Sequence, residues 1–158
     1  MEKRESLETI IGKAISKKIK ISFAESCTGG MVSSAFTEIP GASEIFMGSA
    51  VTYSNESKIK ILGVTTQTID TYGAVSSQCA EEMAKGSLKI YETDVAMSIT
   101  GIAGPAGGTE EKPVGTVWFG YASVAKTYTF KKIFKGTRDQ IRTASLNQIL
   151  FTLMEEMK

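Results

Sequence analysis

Glu25-Ser26-Cys27-Thr28-Gly29-Gly30 follows a short apolar run and precedes a helical pattern. A hydroxyl at such a junction can attack a carbonyl, because the N–H groups opening a helix are unpaired and attract a developing oxyanion. Ser26 sits just past the run, where open α/β sheets bind ligands, and Gly29 and Gly30 would let a ligand approach the backbone. The competing reading is that Ser26 or Thr28 caps the helix. Cys27 is the rival nucleophile, although a small thiol in such a place is more commonly buried and inert.

A nucleophile needs a base, and the chain contains no histidine. Ser-His-Asp and Cys-His chemistry and histidine metal sites are therefore excluded. Two cysteines cannot complete a tetrahedral thiolate site. Proton transfer is left to Lys, Tyr, Asp or Glu. The stretch VTYSNESK at 51–58 supplies Tyr53 at a strand end and Lys58 in the next helical turn. A lysine acts as a base only when neutral. Lowering its pKa from about 10.4 to about 7.5 costs about 4 kcal/mol, which burial can supply. Tyr53 could orient Lys58 or relay its proton. Against this, most lysines are solvated, and Lys60 is an equally charged competitor.

A third stretch, TGIAGPAGGTEEKPVGT from Thr100, is rich in glycine and follows a strand. Thr100, Gly101 and Gly104 bracket a turn whose N–H groups could form an anion-binding nest. It matches neither the P-loop nor the dinucleotide fingerprint, so a nucleoside triphosphate site is unsupported. Arg138 and Arg142 are one helical turn apart; their shared face is either a phosphate clamp or a solvated edge.

The elements that must carry these residues follow from periodicity. Leu7, Ile10, Ile11, Ala14 and Ile15 predict an amphipathic helix. Strands are expected over 19–24, 48–53 and 95–100, and a helix over 31–39. A short helix over 56–62 takes Asn55 as its cap, and a longer one runs from Ser76 or Ser77 to Tyr91. The loop 101–113 is long enough to be functional or disordered. Segments 114–123 and 127–134 predict an antiparallel hairpin, and Thr137 to Gln140 a capping box opening a final helix. Ile141, Ala144, Ile149 and Leu153 of that helix are expected to face inward. The order implies a single three-layer α/β/α domain over 1–158 with a mixed, mostly parallel sheet.

With 18 basic and 17 acidic residues, the net charge of +1 gives no reason to expect nucleic acid or an anionic membrane as partner. The charged start MEKRESLETI and the two cysteines predict a reduced, cytoplasmic setting. No cofactor is expected. The apolar hairpin faces make a homodimer or higher homo-oligomer unsurprising.

Six blocks, in order, carry a resemblance: AESCTGG at 24–30, GSAVTYSNESK at 48–58, LGV at 62–64, GAVS at 73–76, SITGIAGP at 98–105 and EEKPVGTVWFG at 110–120. Together they resemble the CinA C-terminal domain family in its free-standing form, the nicotinamide mononucleotide amidohydrolase (PncC) type. The resemblance implies an α/β/α fold similar to anticodon-binding domains, with a five-stranded mixed sheet. It implies deamidation of nicotinamide mononucleotide to nicotinate mononucleotide and ammonia, with the family's serine, lysine and tyrosine falling on Ser26, Lys58 and Tyr53. The resemblance to the free-standing form leads us to expect no larger N-terminal domain such as full-length members carry, and the nucleotide pyrophosphatase activity associated with that domain is not carried over. On this reading N–H groups from Thr28 to Gly30 hold the oxyanion. Asn55 joins the substrate-binding set, and the turn from Thr100 to Gly104 holds the phosphate with Arg142 or, second, Arg138. The rival class is a non-catalytic nucleotide-binding or regulatory module linked to competence or DNA damage.

Overall fold

The computed structural model describes every residue from Met1 to Lys158. Six helices, α1 (Lys3–Lys17), α2 (Met31–Thr37), α3 (Asn55–Leu62), α4 (Thr66–Tyr72), α5 (Ser77–Tyr91) and α6 (Arg138–Glu156), surround five strands. The strands are β1 (Ile21–Glu25), β2 (Phe46–Val51), β3 (Val95–Gly101), β4 (Thr116–Ser123) and β5 (Thr127–Ile133), and a single 3₁₀ turn spans Ala42–Glu44. They form one sheet in the order β2-β1-β3-β4-β5. β2, β1 and β3 are mutually parallel, while β4 runs antiparallel to both β3 and β5. Four of the five strands therefore point the same way, as the mixed and mostly parallel expectation requires.

Alternation along the strands assigns the two faces. Ile21 and Phe23 of β1, Met97 and Ile99 of β3 and Val117, Phe119 and Tyr121 of β4 join Leu7, Ile10, Phe36, Ile149 and Leu153 in one buried cluster. The α1, α2 and α6 layer covers that face. Phe23 and Phe36 meet there with ring centres 5.0 Å apart and ring planes tilted by 53°, within the separation at which aromatic pairs attract. On the other face the residues under α5 are small, namely Ser22, Ala24, Ala96, Ser98, Gly120 and Ala122, with Trp118 beyond them toward the end of β4. Ser98 Oγ donates to the Ala80 carbonyl of α5, and a Cβ at Gly120 would collide with that same carbonyl. Small side chains let α5 lie against the sheet. A second, smaller cluster of Ala24, Ala50, Leu62, Val64, Cys79 and Met83 seals this layer.

Several boundaries differ from the periodicity reading. Ser54, not Asn55, caps α3: its Oγ accepts from the Ser57 N–H at 3.1 Å, and Asn55 is the first helical residue. Of the two serines ahead of α5, Ser76 is the cap. The capping box of α6 forms as expected between Thr137 and Gln140. Ile15 sits at the rim of the α1 stripe, and Ala144 is only half-buried, while Leu146 and Leu150 fill the α6 core face. Helix α4 carries no apolar periodicity and was not expected. The loop after β3 is a closed excursion: Ile102 N–H donates to Thr116 O at 2.9 Å and Gly115 N–H to Ile102 O at 2.7 Å. Lys112 Nζ ties its far end to the Tyr72 carbonyl at 2.6 Å.

Candidate active site

β1 is the hub of the parallel strands. The connection leaving it (α2) covers one face of the sheet, and the connection returning to β3 (α3 to α5) covers the other. Open α/β sheets place ligands at such a divergence, beyond the carboxyl ends of the strands. A hollow of about 250 Å³ lies there, and its lining includes Ser26, Asn55, Lys58, Thr100, Gly101 and Arg138. Larger hollows exist, for example about 570 Å³ between the ends of α1 and α6, but there Lys3 bonds Glu38 and does not reach the Ser6 hydroxyl.

Ser26 follows β1 directly and is buried, with its N–H donating to Ile99 O at 3.0 Å. Lys58 reaches it from α3. The Ser54 cap starts that helix, and the fourth helical residue then projects back under the strand ends. Lys58 is 1% exposed, whereas Lys60 is exposed. Its Nζ lies 2.8 Å from Ser26 Oγ, 2.7 Å from Thr52 O and 3.2 Å from Tyr53 O. No carboxylate is among these partners. Burial lowers the Lys58 pKa from its ordinary value, against smaller opposing effects of the Cys79 and Cys27 thiols.

All three partners can accept, so a charged amine would donate to each; burial favours the neutral amine, for which the same contacts take another form. An uncharged amine has two N–H donors and one lone pair. Two carbonyls can only accept, so they take both donors. The remaining contact is the serine, whose O–H can then donate to the lone pair. That is the arrangement a general base needs before a hydroxyl attacks. Cys27 is not equipped to compete, because burial pushes its thiol up to about 11.

Around this pair, the other expected residues take varied places. Tyr53 contributes its backbone carbonyl to Lys58, but its side chain is 64% exposed and its hydroxyl accepts from Arg138 Nη2 at 3.2 Å. The phenol is therefore part of the rim and does not relay a proton to Lys58 in this arrangement. Arg138 also donates from Nη1 to Gly104 O at 2.7 Å. Arg142, the first choice for a phosphate contact, is used elsewhere: Nε donates to Cys27 O and Nη2 to Thr28 O, both at 3.1 Å. Arg142 thus braces the turn behind Ser26, and Arg138 is the arginine at the hollow.

Thr100 lines the hollow, with Oγ1 donating to Ala74 O at 2.8 Å. Gly104 is not in the lining; it presents its carbonyl to Arg138. The Ile102 N–H is spent on the sheet, so the turn from Thr100 to Gly104 does not form the expected nest with all its donors. Gly29 and Gly30 have φ of 59° and 102°, a region that glycine enters without strain. They make the turn and do not line the hollow. The N–H groups of Cys27 and Thr28 have no protein acceptor, whereas Gly29 N–H bonds Ser26 O at 3.0 Å.

Sequence reasoning missed Glu25. Buried at the end of β1, its carboxylate accepts from Thr28 Oγ1 at 2.8 Å, Val32 N–H at 3.0 Å, Ser33 N–H at 3.1 Å, Ser33 Oγ, and Ser49 Oγ at 3.3 Å. It fills the first turn of α2, so that helix end holds an internal anion. Only its place before a Ser-x-Thr-Gly-Gly turn hinted at this. The α4–α5 loop residues Ala74 and Val75, which form part of the wall, carried no signal at all.

Fold and site together define a single α/β/α domain with a buried serine and a buried lysine in contact at the switch point of a mixed five-stranded sheet. The CinA C-terminal domain model matches residues 3–157, and the chain belongs to that family. It is 51% identical over 154 residues to a Clostridium perfringens (strain SM101) protein named as competence-damage inducible. It is 49% identical over 154 residues to a CinA-like protein of Endomicrobium trichonymphae. Each match covers 97% of this chain but only 37% and 36% of those relatives, so the chain spans little more than a third of their length. Among solved structures, the competence/damage inducible protein CihA of Agrobacterium tumefaciens superposes with a TM-score of 0.94 at 38% identity, covering 97% of this chain and 94% of that one. A Klebsiella pneumoniae CinA superfamily protein gives 0.95 at 29% identity, covering 99% and 98%.

Proposed function

We propose that this domain hydrolyses a carboxamide, with nicotinamide mononucleotide as substrate, through Ser26 as nucleophile and Lys58 as its base. The observation that carries the reading is the 2.8 Å contact between a buried lysine amine and a buried serine hydroxyl. The choice of substrate rests on the resemblance to the mononucleotide amidohydrolases.

The Ser26 proton passes to the Lys58 lone pair as Oγ attacks the carboxamide carbon, and the carbonyl becomes an oxyanion. Free N–H donors lie beside the nucleophile at Cys27 and Thr28. One such donor typically contributes about 10²–10³ in rate. Collapse of the intermediate breaks the C–N bond, and protonated Lys58 gives its proton to the departing nitrogen as ammonia. Water then repeats the sequence on the acyl-serine, with the same amine as base, and releases nicotinate mononucleotide. The pyridinium charge favours the neutral form of Lys58 by like-charge repulsion. Arg138, at the rim and free of any acidic partner, is the anchor for the 5′-phosphate.

Ammonia release from nicotinamide mononucleotide tests this. Ser26→Ala and Lys58→Met should each lower kcat by at least about 10³-fold, the scale on which an activated nucleophile and its base act. Lys60→Met should leave kcat unchanged. Arg138→Ala should raise KM for the mononucleotide more than for its unphosphorylated riboside, and Arg142→Ala should not discriminate between them. Full activity in Ser26→Ala would end the nucleophile assignment, and binding without turnover in the unaltered protein would favour a nucleotide-binding module.

A further inference from the structure

Of all the charged side chains in the molecule, only Glu25 and Lys58 are buried. Lys58 is accounted for by its contact with Ser26. Glu25 is not, yet it is the residue immediately before Ser26. We propose that Glu25 is the positioning residue that fixes the nucleophile turn; this rests on Ser26 being the nucleophile.

The carboxylate joins two pieces of backbone on either side of the serine. Through Oε1 it holds the Thr28 hydroxyl and the Val32 N–H; through Oε2 it holds the Ser33 N–H and hydroxyl, with Ser49 Oγ of β2 behind it. Every one of these five partners can donate, and no cation is among them. A carboxylate accepts only and can take several hydrogen bonds, so its chemistry matches the cavity it fills. It lies at the start of α2, where the backbone dipoles favour a negative charge. The helix cap Gly30 has no side chain to serve the helix donors, and Glu25 serves them in its place.

Residues 26–30 therefore form a short arch pinned at Glu25 and at α2, with its crown held by Thr28. Arg142 braces the same arch from the outside through the Cys27 and Thr28 carbonyls. Ser26 Oγ can meet the Lys58 amine only while this arch keeps its shape. Displacement of a reacting atom by about 1 Å costs about 10²-fold in rate.

The substitution Glu25→Gln is diagnostic. Val32 N–H faces one carboxylate oxygen and Ser33 N–H the other, so either amide orientation puts an NH₂ against a backbone donor. Glu25→Gln should lower kcat about 10²-fold per folded molecule, with KM within about twofold. Thr28→Val, which releases the arch but leaves the helix donors capped, should lower kcat in the same sense. Ser33→Ala loses a helix-side bond but leaves the Thr28 contact in place, and should lower kcat less than Thr28→Val while lowering the melting temperature. The rate of Ser26 modification by a serine-directed fluorophosphonate gives the same comparison without any amide substrate. Slower labelling in Glu25→Gln and Thr28→Val, in a protein that releases no ammonia, would sustain the positioning role and remove the amidase reading. Kcat and labelling at unaltered levels in folded Glu25→Gln, or in Thr28→Val should the first variant not fold, would overturn the proposal. So would an unaltered protein inert in both assays, because Ser26 would then not be a nucleophile.

Discussion

The protonation state of one amine decides what the site can do. Lys58 is useful as a base only above its pKa, and burial lowers that pKa from the ordinary lysine value of 10.5. Activity should be lost as pH falls through the lowered value and should reach its plateau before pH 10.5 on the alkaline side. A profile of kcat/KM against pH checks this, and a plateau reached only beyond pH 10.5 would mean that the site does nothing to its lysine. No imidazole can account for such a limb, since the chain has none. At this scale the sequence was informative about identities and poor about roles. The exclusion of histidine chemistry was legible from residue types, whereas Ser26 and Lys58 were only candidates beside Cys27 and Lys60 until the family resemblance singled them out. The separate duties of Arg138 and Arg142 were not. They share a helix face, but the first residue of α6 reaches over the rim while the next turn meets the carbonyls behind Ser26. Tyr53 likewise was placed by its carbonyl, which no side-chain pattern encodes.

Elements convert short sequence patterns into these distances. Three parallel strands end at one level, and α3 begins within a few residues of β2, so Lys58 has one route back to Ser26. Close packing of α5 keeps the strand ends in register, and the small-residue face of the sheet makes that packing possible. Gly120→Ala places a methyl group against the Ala80 carbonyl. Overpacking of this kind costs about 1–3 kcal/mol, and in a domain of this size each kcal/mol lowers Tm by about 2–4 °C. Differential scanning calorimetry should show that loss, and an unchanged Tm would contradict the close approach of α5. The amphipathic helices and the hairpin were legible because their burial follows a period. Helix α4 was not, because TQTIDTY offers one apolar side chain and several β-branched ones. Glu25 stayed hidden for a different reason: its backbone partners Val32 and Ser33 lie seven and eight residues away and become neighbours only when strand, arch and helix have formed.

For the whole molecule, the accessible surface of 7848 Å² is close to the roughly 7,700 Å² expected of a folded monomer of this mass. The fold is sufficient for one core and one site, and no helix is long and apolar enough to cross a membrane. Composition could bound these properties, but it could not say that one buried charged side chain would contact Ser26 and the other the turn that follows it. Burying an amine with no carboxylate partner opposes stability while it is protonated, which is reason to expect that the amine is used in its neutral form. The most direct test is an NMR titration of the Lys58 side-chain nitrogen in ¹⁵N-lysine-labelled protein, with the signal assigned by its loss in Lys58→Met. The account predicts that this nitrogen deprotonates clearly below pH 10.5, apart from the bulk of the lysines. A Lys58 that remains charged to pH 10.5 and beyond would contradict it.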